Sequence, residues 1–270
     1  MTLNAGAEDF FKSHVEDYKT EHYESGYRSF MSVRQERYLA EIDRLTFNTD
    51  EPRVIEAGCG PGYMAVALAD RGFRVSAIDT SDGMLGLTRT LFASSNRPEP
   101  ELEVGSIEDV PFEDGRFDLY VSAGVIEYLE SDDRALAEAF RVLAPGGYLI
   151  VSITNRFSHA GAFEAIIESA KRQPILLGAV NRLFEALGRR VVRAREFRVR
   201  KHSPRIFRQS VERAGFEVLR DAYFYFLPWP HPFDRLFPKM SDRINRRLDW
   251  LAESKLRGLG EGYYVVGRRA

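Results

Sequence analysis

The feature that most constrains this chain is the run Val54-Ile55-Glu56-Ala57-Gly58-Cys59-Gly60-Pro61-Gly62, an apolar stretch that ends in three glycines at alternate positions. Glycine at every second place lets the backbone turn tightly and lets another group approach it closely. The helical pattern that follows brings helix N–H groups to the same point. A strand that hands over to a helix through such a loop belongs to an α/β fold.

The rest of the chain repeats that grammar. Apolar runs at Arg53–Ala57, Arg74–Asp79, Phe117–Ala123 and residues 148–154 alternate with helical patterns, which predicts parallel strands joined by crossover helices. The helix after Gly62 is expected to turn Met64, Val66, Ala67 and Leu68 inward and to end at Gly72 in a left-handed cap. Another is expected from Asp132, as its N-cap, to Leu143, with Pro145-Gly146-Gly147 turning the chain into the next strand. Later strands are expected at residues 217–226 and 262–267.

Three additions surround this core inside what reads as a single domain over residues 1–270. Residues 8–46 read as two amphipathic helices carrying Tyr18, Tyr23, Tyr27 and Tyr38, a candidate lid. Residues 156–201 read as a helical insertion that becomes basic. Residues 227–260 open with Leu227-Pro228-Trp229-Pro230-His231-Pro232-Phe233, whose prolines forbid regular structure. They continue as a helix with Met240, Ile244, Leu248 and Leu251 on one face.

Composition narrows the function classes. With 44% hydrophobic and 29% charged residues over 270 positions, the chain can bury one sizeable core. No basic-then-apolar leader opens the sequence, and no apolar run approaches about 18 residues, so the expectation is a cytoplasmic protein. Cys59, the single cysteine, excludes an internal disulfide and a cysteine-based metal cluster, and is read as a small residue that fits its loop. The net charge of −2 hides an uneven spread: residues 171–208 hold twelve Lys and Arg against Glu185 and Glu196. That segment is expected either to face something anionic or to be covered by the acidic remainder.

Asp79 sharpens the glycine signal. It lies at the tip of the second strand, roughly 20 residues past the loop, where a carboxylate can accept both hydroxyls of a ribose. A dinucleotide loop would place a third glycine at position 63, which is Tyr63. A Gly-x-Gly-x-Gly loop suits a nucleoside that carries a methionine moiety and has no pyrophosphate.

In these residues the chain resembles the class I S-adenosylmethionine-dependent methyltransferases, in particular the small-molecule group that includes the ubiquinone-biosynthesis enzymes. Residues 56–62 match the first motif and Ile78-Asp79 the second; Gly105-Ser106-Ile107-Glu108-Asp109-Val110-Pro111-Phe112 matches the adenine motif. Residues 117–124 and 143–149 match two further blocks. The resemblance implies a Rossmann-like seven-stranded sheet in the order 3-2-1-4-5-7-6 with strand 7 antiparallel. It also implies S-adenosylmethionine as co-substrate. Glu56, Gly58, Gly60 and Gly62 would line the methionine end, and Asp79 would bind ribose. Met84 would pack on adenine, Ile107 and Glu108 would flank its edge, and Ala123 would close the site. Tyr18, Tyr27 and Arg34 of the lid would meet the methionine carboxylate.

Two departures from the family pattern carry weight. Ser106 stands where many relatives have an aspartate, so either Ser106 reads the adenine amino group more weakly or Glu108 takes over. Glu127-Tyr128 stands where some relatives have a Glu-His pair at a metal site, so no metal is expected. Methyl transfer needs no compulsory catalytic residue, but a base helps a hydroxyl or amine acceptor. His14, His22, His159, His202 and Glu127 are candidates, and His202, where the insertion returns to the core, ranks first. The expected partner is a small, amphiphilic or lipid-like acceptor. The basic helices of residues 156–201 would add peripheral contact with an anionic membrane surface. Nucleic acid is disfavoured, because the basic residues alternate with an aliphatic face and lack stacking aromatics. A nucleic-acid methyltransferase and a non-catalytic cofactor-binding protein are the rival readings.

Overall fold

The computed structural model describes residues 28–95, 97–158, 199–227 and 237–270, with the single positions 10, 173, 178, 181, 182, 185, 186 and 229. Seven strands form one sheet: β1 (Arg53–Ala57), β2 (Arg74–Asp79), β3 (Glu101–Val104), β4 (Phe117–Ala123), β5 (Leu143–Thr154), β6 (Phe216–Phe224) and β7 (Gly262–Arg269). Their order is β3-β2-β1-β4-β5-β7-β6, with β7 antiparallel to both neighbours, as the family resemblance implied. Among the described residues, the α-helices that accompany it are α1 (Phe30–Ile42), α2 (Tyr63–Ala69), α3 (Asp82–Ser94), α4 (Asp133–Val142), α5 (Pro204–Arg213) and α6 (Pro238–Leu248).

The central strands are apolar on both faces because both are covered, and successive residues feed opposite cores. Ile55, Tyr120, Leu149, Val151, Tyr263 and Val265 pack with Leu136, Ala139 and Val142 of α4 and Phe207 and Val211 of α5. Val54, Leu119, Val121, Ile150, Tyr264 and Val266 pack with Met64 and Leu68 of α2 and Val33, Tyr38 and Ile42 of α1. Helix α1 is fixed further by the Tyr38 hydroxyl, which donates to Ser122 O at 2.9 Å. Every β1, β2 and β4 strand therefore ends on the same edge of the sheet, where the glycine loop lies.

Several expectations need correction. Strand β3, Glu-Leu-Glu-Val, was not foreseen: it is a short, exposed edge strand, and its charges guard an open edge while hiding the apolar signal. Strand β5 begins at Leu143, so Pro145-Gly146-Gly147 lies within an irregular stretch of the β4–β5 ladder. Strand β6 stops at Phe224 because Tyr225 adopts φ +62°, which ends the extended backbone. In α2 the buried residues are Met64, Ala65 and Leu68, while Val66 and Ala67 are only half-buried. Gly72 does take the left-handed conformation, at φ +84°.

Helix α6 buries only part of the face expected: Ile244 and Leu248 are half-buried and Leu251, just beyond the helix, is buried. Met240 is exposed and Ser241 and Asn245 are buried, because both are consumed as acceptors. Asn245 Oδ1 takes the Phe226 N–H at 2.9 Å, and Ser241 Oγ takes the Trp229 indole N–H at 3.1 Å. Asp132 stands at the N-cap of α4 but makes no capping bond; Ser131 Oγ accepts the Asp133 N–H instead, at 3.2 Å. Of the predicted N-terminal helices only α1 is described, and most of residues 156–201 lie outside the described residues. So do Tyr18, Tyr27, His14, His22 and His159.

Candidate cofactor site

The glycine loop is clamped to the tip of β2. Gly58 N and Cys59 N both donate to Ile78 O, at 2.8 and 3.0 Å, and Thr88 Oγ1 of α3 donates to Gly60 O at 3.0 Å. Gly60 N in turn donates to Asp79 Oδ2, and Ser81 N to Asp79 Oδ1, each at 2.9 Å. Two backbone donors thus hold the Asp79 carboxylate in one orientation, with lone pairs left on each oxygen. Burial raises its pKa and these backbone bonds oppose the rise, leaving it above the ordinary aspartate value. Cys59 is buried in the loop, its thiol pushed well up by burial, so it packs and does not react.

A cleft of about 1030 Å³, counted with its open mouth, lies at the ends of β1, β2 and β4. Of the residues singled out in the sequence, Arg34, Glu56, Gly58, Gly60, Asp79, Met84, Ser106, Ile107 and Ala123 line it. Gly62, Glu108 and His202 are not among the lining residues, and Tyr18 lies outside the described residues. The glycines divide for a physical reason. A Cβ on Gly62, at φ +83°, would meet buried Thr88 Cγ2 at 2.6 Å, whereas one on Gly60, at φ +52°, would meet nothing within 4 Å. Gly62 lets α2 pack against α3; Gly60 leaves its side-chain space to the cleft. The Glu108 backbone N–H donates to Ser106 Oγ at 3.1 Å and fixes the turn there.

The charges in the cleft are arranged in opposition. Arg34 is only 5% exposed, and its guanidinium lies over Gly124, where any side chain would collide with it. Sequence reasoning did not single out Gly124; the signal was a glycine directly after an apolar strand. Glu56 is buried and its Oε2 has no hydrogen-bond partner. Burial pushes its carboxyl well above the ordinary value, with the Asp79 charge adding to the rise and a hydrogen bond from Ala65 and the Arg34 charge opposing it. Gly124, Val125, Tyr128 and Met31 also line the cleft, and neither Met31 nor Tyr128 was foreseen as lining it.

Beside the cleft, the ends of β4 and β5 carry a second polar group. Glu127 Oε1 accepts from Thr154 Oγ1 at 3.1 Å, and its Oε2 is buried without a partner. Burial raises this carboxyl's pKa, with Arg34 and His202 opposing. His202 joins the tip of β5 by its backbone, donating to Thr154 O and accepting from Arg156 N at 3.0 Å each. Among the described residues no group of three His, Cys, Asp or Glu is placed to hold a metal ion.

Asp79, Arg34 and Glu56 therefore converge on one cleft. Residues 55–151 match the family described as a methyltransferase domain. A probable S-adenosylmethionine-dependent methyltransferase of Mycolicibacterium smegmatis is 27% identical over 169 residues, covering 61% of this chain and 64% of that protein. A malonyl-[acyl-carrier protein] O-methyltransferase of Geobacter sulfurreducens is 34% identical over 125 residues, covering 45% of this chain and 46% of that protein. The chain thus spans less than two thirds of the length of these curated relatives. Among solved structures, an S-adenosylmethionine-dependent methyltransferase of Thermotoga maritima covers 97% of this chain and 99% of its own, with a TM-score of 0.56 at 21% identity, which shows the shared fold. Residues 55–151 thus carry a match to a methyltransferase domain, and the sheet order and the glycine loop with Asp79 are those that the resemblance to the class I S-adenosylmethionine-dependent methyltransferases implied.

Proposed function

We propose that the protein transfers the methyl group of S-adenosylmethionine to a small acceptor of amphiphilic or lipid-like character. The observation that carries this reading is Gly60, whose missing side chain faces the cleft while its N–H fixes Asp79 at the rim. In this arrangement Asp79 accepts the ribose hydroxyls, Met84 and Ile107 hold the adenine between apolar surfaces, and Ser106 stands at its edge. Arg34 meets the methionine carboxylate. The unpartnered Oε2 of buried Glu56 suits the methionine ammonium, whose charge would draw that carboxyl into its ionised form.

When bound, the sulfonium supplies an electrophilic methyl group that is displaced directly. The protein's part is to align acceptor and methyl and to keep water out. Arg34, a buried residue of α1, and the apolar lining of Ile107, Val125 and Leu129 serve the second task. The relatives named as malonyl-[acyl-carrier protein] O-methyltransferases support an acceptor with an acyl portion. We place its action in the cytoplasm, with the basic insertion of residues 156–201 meeting anionic lipid at the membrane surface, and we assign it no metal.

Calorimetry with S-adenosylhomocysteine and turnover of methyl-labelled S-adenosylmethionine in a fractionated cell extract test the reading. Binding, with label in the lipid or small-molecule fraction, is the expected result. Failure to bind S-adenosylhomocysteine overturns the cofactor assignment, and label confined to RNA overturns the acceptor class.

A further inference from the structure

Three stretches of chain that the cofactor site does not use meet at one end of the sheet, where β5 and β6 finish and β7 begins. Asn155, fully buried just past β5, ties two of them together. Its side-chain amide donates to Gly258 O at 2.9 Å and to Gly260 O at 2.8 Å, and its backbone N–H donates to Glu261 O at 2.8 Å. Arg156 N donates to His202 O at 3.0 Å, which brings in the first turn of α5. The Arg257 guanidinium lies 5.9 Å from the centre of the Tyr223 ring, and Arg208 of α5 donates to Asp221 at 2.6 Å, two residues earlier on β6. The loop before β7 and the start of α5 therefore flank the same end of β6.

Each stretch sets a basic residue beside an exposed apolar one: Arg156-Phe157, Arg205-Ile206 and Lys255-Leu256-Arg257, with Leu259 following. Phe157, Ile206 and Leu256 are 63%, 59% and 55% exposed. Arg156, Arg205, Lys255 and Arg257 are exposed as well, and none has an ion-pair partner among the described residues. The contrast is Arg208, one turn along α5 from Arg205, which pairs with both Glu212 and Asp221. Against these four bases stand only the flanking Glu253 and Glu261, which leaves a net +2. Apolar side chains scattered singly over a surface need no explanation, but a group of them interleaved with unpaired bases marks an interaction face.

We propose that this end of the sheet docks on an anionic lipid surface, with Phe157, Ile206, Leu256 and Leu259 entering the headgroup boundary and the four bases meeting lipid phosphates. A boundary between water and acyl chains satisfies both kinds of side chain at once. Nucleic acid would match the charges but leave the aliphatic side chains without partners, since its bases stack on aromatic rings. A second copy would set the same bases against one another, and the remainder of the insertion is itself rich in Lys and Arg, so neither complements the face. The end in question is also the one at which β1, β2 and β4 deliver the cofactor cleft, so a lipid-like acceptor would approach the cleft along the docked surface. The proposal rests on the membrane contact in the reading above and gives it a face that includes α5 and the loop before β7.

The test is flotation of the full chain with vesicles of phosphatidylcholine alone or mixed with phosphatidylglycerol, at low and high salt. Wild type should float with the mixed vesicles at low salt only. Arg205→Gln, Lys255→Gln and Arg257→Gln combined should weaken partitioning about a hundredfold, each charge near such a surface being worth about fivefold. Phe157→Ser with Leu256→Ser should weaken it about tenfold or more and leave its salt dependence in place. All five side chains are exposed, so melting temperature and S-adenosylhomocysteine affinity should match wild type, which separates lost docking from lost folding. Wild-type flotation by both variants overturns the proposal, even where Arg189→Glu, Arg190→Glu and Arg193→Glu together abolish it, because the contact then belongs to the insertion alone. An apolar variant that floats like wild type while the glutamine variant does not also overturns it, in favour of a purely electrostatic contact such as RNA makes. So does a wild-type dimer in sedimentation that the apolar variant dissociates. A wild type that floats but binds no S-adenosylhomocysteine supports the docking face and removes the methyltransferase reading instead.

Discussion

Replacing Gly60 with alanine should separate folding from ligand binding, because nothing in the protein opposes the new methyl group. No atom lies within 4 Å of the Cβ position, so the folding cost is only that of holding alanine at φ +52°. That is about 1–2 kcal/mol. At about 2–4 °C per kcal/mol for a protein of this size, the melting temperature should fall by about 2–8 °C. In wild type, S-adenosylhomocysteine at about 100 times its Kd should add about 2.7 kcal/mol. Gly60→Ala should lose that rise, because the methyl group occupies the ligand's space. Gly62→Ala supplies the contrast. It carries similar backbone strain and also drives a methyl to 2.6 Å from buried Thr88, adding about 1–3 kcal/mol of overpacking. It should melt lower than Gly60→Ala, yet the folded fraction should keep the ligand-induced rise. Thermal melts of the three proteins with and without ligand decide the matter. A Gly60→Ala protein that gains wild-type stabilisation from the ligand would refute the division of labour.

Four further outcomes are expected. Asp79→Ala should weaken S-adenosylhomocysteine binding by about 1.5–3 kcal/mol in calorimetry, the scale of hydrogen bonds to a charged group; unchanged affinity would remove Asp79 from the ribose. Glu56 has a folded pKa raised above its ordinary 4.5, so the folded state holds an extra proton between those values and stability falls as pH rises through them. Glu56→Gln lacks that loss, and its urea midpoint should gain on wild type between pH 5 and pH 8; parallel profiles would contradict the buried-carboxyl account. Turnover should survive EDTA, and loss restored by magnesium would overturn the metal-free reading. Arg189→Glu, Arg190→Glu and Arg193→Glu combined should reduce co-sedimentation with anionic vesicles at low salt, each charge near such a surface being worth about 1 kcal/mol; equal binding of both proteins would dismiss the membrane contact.

The parts of the fold legible in the sequence were those where local and global demands coincide. The glycine loop, Asp79 and the buried strands are written in residue types that tolerate no alternative there. The glycine spacing did not reveal that Gly60 faces the cleft while Gly62 faces Thr88, because that distinction is made by α3, a helix 20 residues further on. Edge strand β3 was hidden by its charges, and the α6 face was read only in part because two polar side chains are buried beside it as acceptors for distant donors. Asp132 was recognisable as an N-cap by position, but its partners, Arg200 and His202, lie about 70 residues away. Hydrophobic periodicity cannot see bonds of that reach.

The placement of β7 between β5 and β6 sets the order in which this molecule can be completed. The strand that joins β6 to the other five follows all of them in sequence, and its ladder runs from Gly262 to Arg268 against β5 and from Gly262 to Arg269 against β6. During synthesis, β1 to β5 can assemble early, but the open edge of β5 has no partner until residues 262–269 arrive, and β6 has nothing to pair with before then. The nascent chain thus carries an exposed apolar strand edge through the time needed to make about a hundred further residues, roughly 5–20 s at ordinary elongation rates. A stop or a stall shortly before β7 would leave a cofactor half with most of its residues and an unclosed sheet, a species built to aggregate or to recruit a chaperone.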